Sequence, residues 1–93
     1  MRVLVLDPPL FTLPYDLHFA RALAEAGAEV SLVGRPLRPY EAIDPAAPVP
    51  FRPLFYRRAE ARQGAWRTSR ATQALKAPEH ARGWRAVERL VAA

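Results

Sequence analysis

The chain has 93 residues, 51% of them apolar and 25% charged, a balance that suits one small folded unit and excludes a disordered tract. It contains no cysteine and only two histidines, His18 and His80, so disulfides and thiolate metal sites are excluded and a zinc site lacks ligands. The formal net charge is +5, carried on thirteen arginines and one lysine. Such an excess of guanidinium groups reflects arginine-favouring codon usage, and it also suits attraction to phosphate, nucleotide or anionic lipid.

Arg2 to Asp7 reads as the first strand. Its apolar run Val3-Leu4-Val5-Leu6 shows no alternation, the pattern of a strand covered on both faces in a parallel sheet. Asp7-Pro8-Pro9 closes it, because prolines supply no backbone donors. The same run is too short for a membrane span or a signal-peptide core, which points to the cytoplasm. A helix is expected from Pro14 or Tyr15 to Ala26, with Asp16 near the positive end of its dipole. Leu17, Phe19, Ala20, Leu23 and Ala24 share its apolar side, and His18 lies on its solvated side. Gly27 ends it, and Glu29 to Gly34 gives the second strand. Together these elements have the length of a strand-helix-strand crossover.

From Arg35 to Pro50 five prolines predict an extended surface connection with a short turn at Tyr40 to Ile43. A third strand is expected over Phe51 to Tyr56, interrupted by Pro53, which an edge strand tolerates. The Arg-rich stretch from Arg57 to Leu75 reads as partly helical. A last helix is expected from Pro78 to about Val91, with Ala81, Trp84, Val87, Leu90 and Val91 on its apolar side. His80 is expected as a hydrogen-bonded core histidine. The fold expectation is therefore α/β: a partial Rossmann-like parallel sheet of three strands in the order 3-2-1 with flanking helices. It reads as an incomplete domain, because the apolar first strand would be left as an open edge. The partner this implies is the remainder of the same polypeptide or a complementing chain.

Ligands of open α/β sheets bind beyond the carboxyl ends of the strands. After the first strand that region is Asp7-Pro8-Pro9-Leu10-Phe11-Thr12-Leu13-Pro14-Tyr15-Asp16. It has neither the Gly-x-Gly-x-x-Gly run of dinucleotide binding nor a P-loop, so a conventional dehydrogenase or NTPase is disfavoured. Asp7 and Asp16 suit sugar hydroxyls, with Thr12 beside them and Phe11 or Tyr15 stacking on a ring; each carboxylate also has a purely local role as strand end or helix start. Arg57 and Arg58 follow the third strand at the same end. If helical, the basic stretch places Arg58, Arg62, Arg67 and Arg70 on one arc around Trp66, a face for phosphate or an anionic membrane surface. No Ser/His/Asp or Cys/His nucleophile system can be assembled.

Residues Met1 to Arg35, MRVLVLDPPLFTLPYDLHFARALAEAGAEVSLVGR, resemble the opening of bacterial glycosyltransferases of the GT-B fold, in the retaining, glycogen-synthase-like and mannosyltransferase-like group. The stretch Ala22-Leu23-Ala24-Glu25-Ala26-Gly27-Ala28-Glu29-Val30 carries the resemblance. The ending GWRAVERLVAA is similar to the helix that precedes a further strand in that family. The resemblance implies an acceptor-side segment that receives a sugar or lipid-linked acceptor and is inactive by itself. The nucleotide-sugar donor would bind in a carboxy-terminal domain outside these residues, and no metal or other cofactor is implied here. The competing expectation is a small Arg-rich α/β module holding nucleic acid or, in preference to it, an anionic surface at the inner membrane face.

Overall fold

The computed structural model describes residues 1–61 and 70–92. The elements in chain order are β1 (Arg2–Asp7), α1 (Leu13–Glu25), β2 (Glu29–Gly34), β3 (Phe51–Pro53), α2 (Arg57–Ala61) and α3 (Arg70–Ala92). The three strands form one parallel sheet in the order β1-β2-β3, so the expected order and both long strands are observed. Arg2 pairs with Glu29 and Asp7 with Gly34, while Leu32 pairs with Phe51 and Gly34 with Pro53.

The pleat sends alternate side chains to opposite faces. On one face Val3, Val5, Val30 and Leu32 meet Leu13, Leu17 and Ala20 of α1. On the other, Leu4 and Val33 meet Phe55 and Val87, which places α3 there. The sheet is thus covered by a helix on each side, an α/β fold whose densest packing surrounds β2. Arg2 Nη2 donates to the Leu90 carbonyl at 3.2 Å, tying the end of α3 to the start of β1.

Several expected boundaries move. The third strand stops at Pro53 rather than Tyr56. Proline cannot donate to the ladder, and the Leu54 N–H turns back to the Arg52 carbonyl at 3.1 Å. Helix α1 begins one residue earlier than expected and ends before Ala26; Gly27 then takes the left-handed backbone at φ 100°. Phe19 and Ala24 lie outside its buried stripe, and Phe19 is 57% exposed. The connecting loop turns at Arg38–Glu41 and again at Asp44–Ala47, not at Tyr40–Ile43.

The last helix differs most. It starts at Arg70, not Pro78, and carries Pro78 in its interior. Its buried residues are Thr72, Glu79, Gly83 and Val87, so the inward face is rotated from the expected one. Ala81, Trp84 and Val91 are exposed and Leu90 is half-buried. The cause is Gly83: a Cβ there would overlap the fully buried Phe55 ring, so the missing side chain lets α3 seat on that ring. Within the expected Arg-rich segment, Arg57–Ala61 is helical; Arg62, Trp66 and Arg67 lie outside the described residues.

Candidate functional site

The carboxyl end of β1 runs into a tight turn in which the Leu10 N–H donates to the Asp7 carbonyl at 3.0 Å. Leu10 adopts φ 51°, a conformation that costs a non-glycine residue roughly 1–2 kcal/mol. Its 3% exposed side chain repays that strain by packing over Gly34, where an added Cβ would lie 2.7 Å from the Asp7 carbonyl oxygen. The turn is also bolted from β2. Arg35, 3% exposed, donates its backbone N–H to the Pro8 carbonyl and its Nε to the Pro9 carbonyl, and grips Glu41 through Nη1 and Nη2 at 2.7 and 2.8 Å. The hydrogen bond from the Arg35 guanidinium, helped by the Arg38 N–H, outweighs the upward effect of burial and leaves the Glu41 carboxyl below its ordinary pKa. Arg38 in turn pairs with Glu60 of α2 at 3.1 Å, and its pKa is raised by that bond.

This rigid turn brings three of the expected site residues together. Thr12, at the start of α1, does not cap the helix with its side chain. Its hydroxyl contacts Asp7 Oδ2 and Asp16 Oδ1, each at 3.2 Å, and its N–H donates to Asp7 Oδ2 at 3.3 Å. A hydroxyl has one proton to give, so one of these two contacts needs a proton from a carboxyl. The upward shift of its pKa assigns that proton to Asp16. Burial, and then the hydrogen bond and charge of Asp7, raise the Asp16 pKa to about 7. Burial also works upward on Asp7, but the hydrogen bonds from Asp16, Thr12 and Leu10 outweigh it and leave the pKa lowered. The pair therefore shares one proton near neutrality, with Asp7 the anion, an arrangement able both to accept from and to donate to a hydroxyl.

The aromatic residues stand apart from the pair. Phe11, 88% exposed, lines an open groove of about 470 Å³ with Tyr40, Glu41 and Leu17, on the side of α1 nearer the long loop. Tyr15, 79% exposed, lies on the outer side of α1. Arg57 and Arg58 line a separate groove of about 230 Å³ with Arg82 and Glu79. They follow β3, two strand spacings or roughly 10 Å from β1, and share no groove with Asp7 or Asp16. Arg70 is exposed at the start of α3.

One arrangement here has no counterpart in the expectations, and a second matches its expectation only in part. Glu79, 6% exposed, accepts from the Arg58 and Ala59 N–H groups at 2.9 and 2.8 Å and so caps α2 from the neighbouring helix. His80 is exposed rather than in the core, yet both ring nitrogens are engaged: Trp84 Nε1 donates to Nε2 at 2.9 Å, and Nδ1 meets the Tyr56 hydroxyl at 2.6 Å. An indole can only donate, so Nε2 is the acceptor and Nδ1 carries the proton of the neutral ring. Sequence offers one signal for this chain, the i, i+4 spacing of His80 and Trp84.

Among the described residues no group of three or more His, Cys, Asp or Glu side chains is placed to hold a metal. No helix among them is long and apolar enough to cross a membrane. No family model, curated protein or solved structure matches this chain.

Proposed function

We propose that this chain is the acceptor-side unit of a sugar-transferring enzyme of Rossmann-like, GT-B type, in which Asp7, Thr12 and Asp16 hold an acceptor hydroxyl. The observation that carries this reading is the cluster at the carboxyl end of β1 in which the Thr12 hydroxyl lies 3.2 Å from both Asp7 and Asp16. An anionic Asp7 accepts the acceptor's hydroxyl proton, while Thr12 and the protonated Asp16 steady its carboxylate. A carboxylate that accepts suits a neutral polyol better than an anion, which Asp7 would repel. The likeness of residues 1–35 to that enzyme group supports the same assignment. Phe11 lines a separate groove and its exposed ring is not part of the hydroxyl site proposed here. The nucleotide-sugar donor belongs outside residues 1–93, so the chain alone binds acceptor without transferring sugar, in the cytoplasm.

The test is a titration of the isotope-labelled chain with methyl mannoside and methyl glucoside, followed by NMR. The expected result is saturable shifts at Thr12 and Asp16 that vanish in Asp7→Asn. Shifts that persist unchanged in Asp7→Asn, or no shifts at those residues, overturn the assignment.

A second reading rests on the groove lined by Arg57, Arg58 and Arg82, whose guanidinium groups form no ion pair among the described residues. It makes the chain an Arg-rich module at an anionic surface such as the inner membrane face. It expects sedimentation with phosphatidylserine vesicles that weakens with salt and with replacement of Arg57 and Arg58 by Ala. Binding that salt does not weaken argues against it.

A further inference from the structure

Helix α1 and the long loop after β2 border a groove of about 470 Å³ that none of the Asp7–Thr12–Asp16 cluster lines. Leu10, Leu13 and Leu17 give it an apolar floor, and all three belong to the core, so the fold itself fixes that floor. Phe11 and Tyr40 line the same groove while remaining 88% and 75% exposed, which leaves two aromatic rings facing water.

The loop wall is braced. Arg35 grips the Glu41 carboxylate, and the Arg38 N–H donates to the same carboxylate at 2.7 Å. Arg38 Nη1 donates to the Tyr40 hydroxyl at 3.2 Å, and Arg38 is itself anchored on Glu60. The Tyr40 ring is therefore uncovered yet positioned, a geometry set before any ligand arrives.

The polar groups left over in this groove are donors. Glu41 is neutralised by Arg35 and already accepts three N–H groups. Tyr40 accepts from Arg38, so its own hydroxyl proton remains to be donated. Arg21 is half-buried, and its Nε donates to the Ala47 carbonyl at 3.2 Å. Among the described residues its Nη1 and Nη2 have no partner and Arg21 forms no ion pair. An open guanidinium fork of this kind matches a carboxylate, which accepts two parallel N–H groups. Pro14, Leu17 and Arg21 share the side of α1 that lines the groove, and the helical rise puts Arg21 roughly 10 Å along the axis from Pro14. The cationic end thus stands about two helical turns beyond the Phe11 end.

We infer that this groove binds an aryl carboxylate, a flat ring joined to an acid group by a short apolar chain. The ring lies against Phe11 and Tyr40, the chain crosses Leu13 and Leu17, and the carboxylate meets Arg21. Both ends of the ligand are needed. A neutral ring compound leaves the Arg21 fork unanswered, and an acid without a ring leaves the aromatic faces in water. A sugar fits poorly, because the one carboxylate here, Glu41, is already engaged and the remaining groups only donate.

The probe is phenylbutyrate, titrated into the isotope-labelled 93-residue chain and followed by NMR. Saturable shifts are expected at the Leu13, Leu17, Tyr40 and Ala42 amides. Phenylbutanol, which keeps the ring without the charge, and hexanoate, which keeps the charge without the ring, should each bind about tenfold more weakly. Arg21→Gln should lower phenylbutyrate to the affinity of phenylbutanol, and Arg21→Lys should recover part of the loss. Tyr40→Ala, at an exposed position, should keep the melting curve and weaken phenylbutyrate several-fold. Methyl mannoside should not displace it, whether or not that sugar binds beside Asp7. The inference is overturned by absent or non-saturating shifts at those amides, or by displacement with methyl mannoside. Phenylbutanol or hexanoate binding as tightly as phenylbutyrate overturns it equally.

Discussion

Strands β1 and β2 are both six residues long and carry similar apolar runs, Val-Leu-Val-Leu and Val-Ser-Leu-Val, yet their burial is opposite. In β2, Val30, Leu32 and Val33 are 5%, 0% and 0% exposed; in β1 every residue is half-buried or exposed. The difference is neighbours rather than composition. Strand β2 is paired on both sides and covered by both helices, whereas among the described residues β1 is paired on one side only. Apolar content in β1 therefore exceeds what the described residues cover, and the excess faces the groove lined by Leu4, Leu6, Val87 and Val91.

The comparison breaks most visibly if truncation costs the same in both strands. Leu32→Ala should cost about 2–5 kcal/mol through lost burial and a cavity, and Leu6→Ala less than about 1 kcal/mol, both read from denaturant unfolding. Gly34→Ala probes the joint between the strands. Its Cβ would press on the Leu10 side chain and the Asp7 carbonyl, so a destabilisation of about 1–3 kcal/mol and disturbed Thr12 and Asp16 resonances are expected. Glu79→Ala removes the cap from α2 and should cost about 1–2 kcal/mol, measured as a lower Tm, with β1 resonances unchanged.

The smallest effect belongs to the carboxylate pair and depends on pH. Asp16 has a folded pKa raised from 3.8 to about 7, so its contribution to stability is fully present below the unfolded value and is lost as pH rises through about 7. Asp7, whose pKa is lowered, works the other way, and its contribution disappears as pH falls below 3.8. Stability should therefore decline between about pH 4 and 7 in the native chain and stay nearly flat in Asp16→Asn. At pH 8 the amide should be the more stable by about 1 kcal/mol, the net worth of one intramolecular hydrogen bond. Parallel pH profiles for the two proteins would remove the shared proton.

Much of this architecture is legible in the residue order because it rests on local signals. The unbroken apolar run of β1, its proline stop, and the Gly27 turn before β2 give both long strands and their pairing order. Asp7 and Asp16 stand out as carboxylates flanking a loop at the carboxyl end of a strand. Pro78, by contrast, reads as a helix start, although the residues before it, Arg70 to Ala77, are largely good helix formers and α3 runs through it. The inward face of α3 is misread because its key contact is a glycine: Gly83 contributes nothing to an apolar stripe yet decides where Phe55 seats. The Arg35–Glu41 grip, the Arg38–Glu60 pair and the Glu79 cap join residues from different elements or across a loop, and no periodicity announces such partners.

Residue-by-residue amide hydrogen exchange along β1 in the dilute chain tests the one-sided strand most directly. The account predicts alternation, with slow exchange at Val3, Val5 and Asp7 and fast exchange at Leu4 and Leu6. Uniform protection from Val3 to Asp7 in a monomer would contradict it.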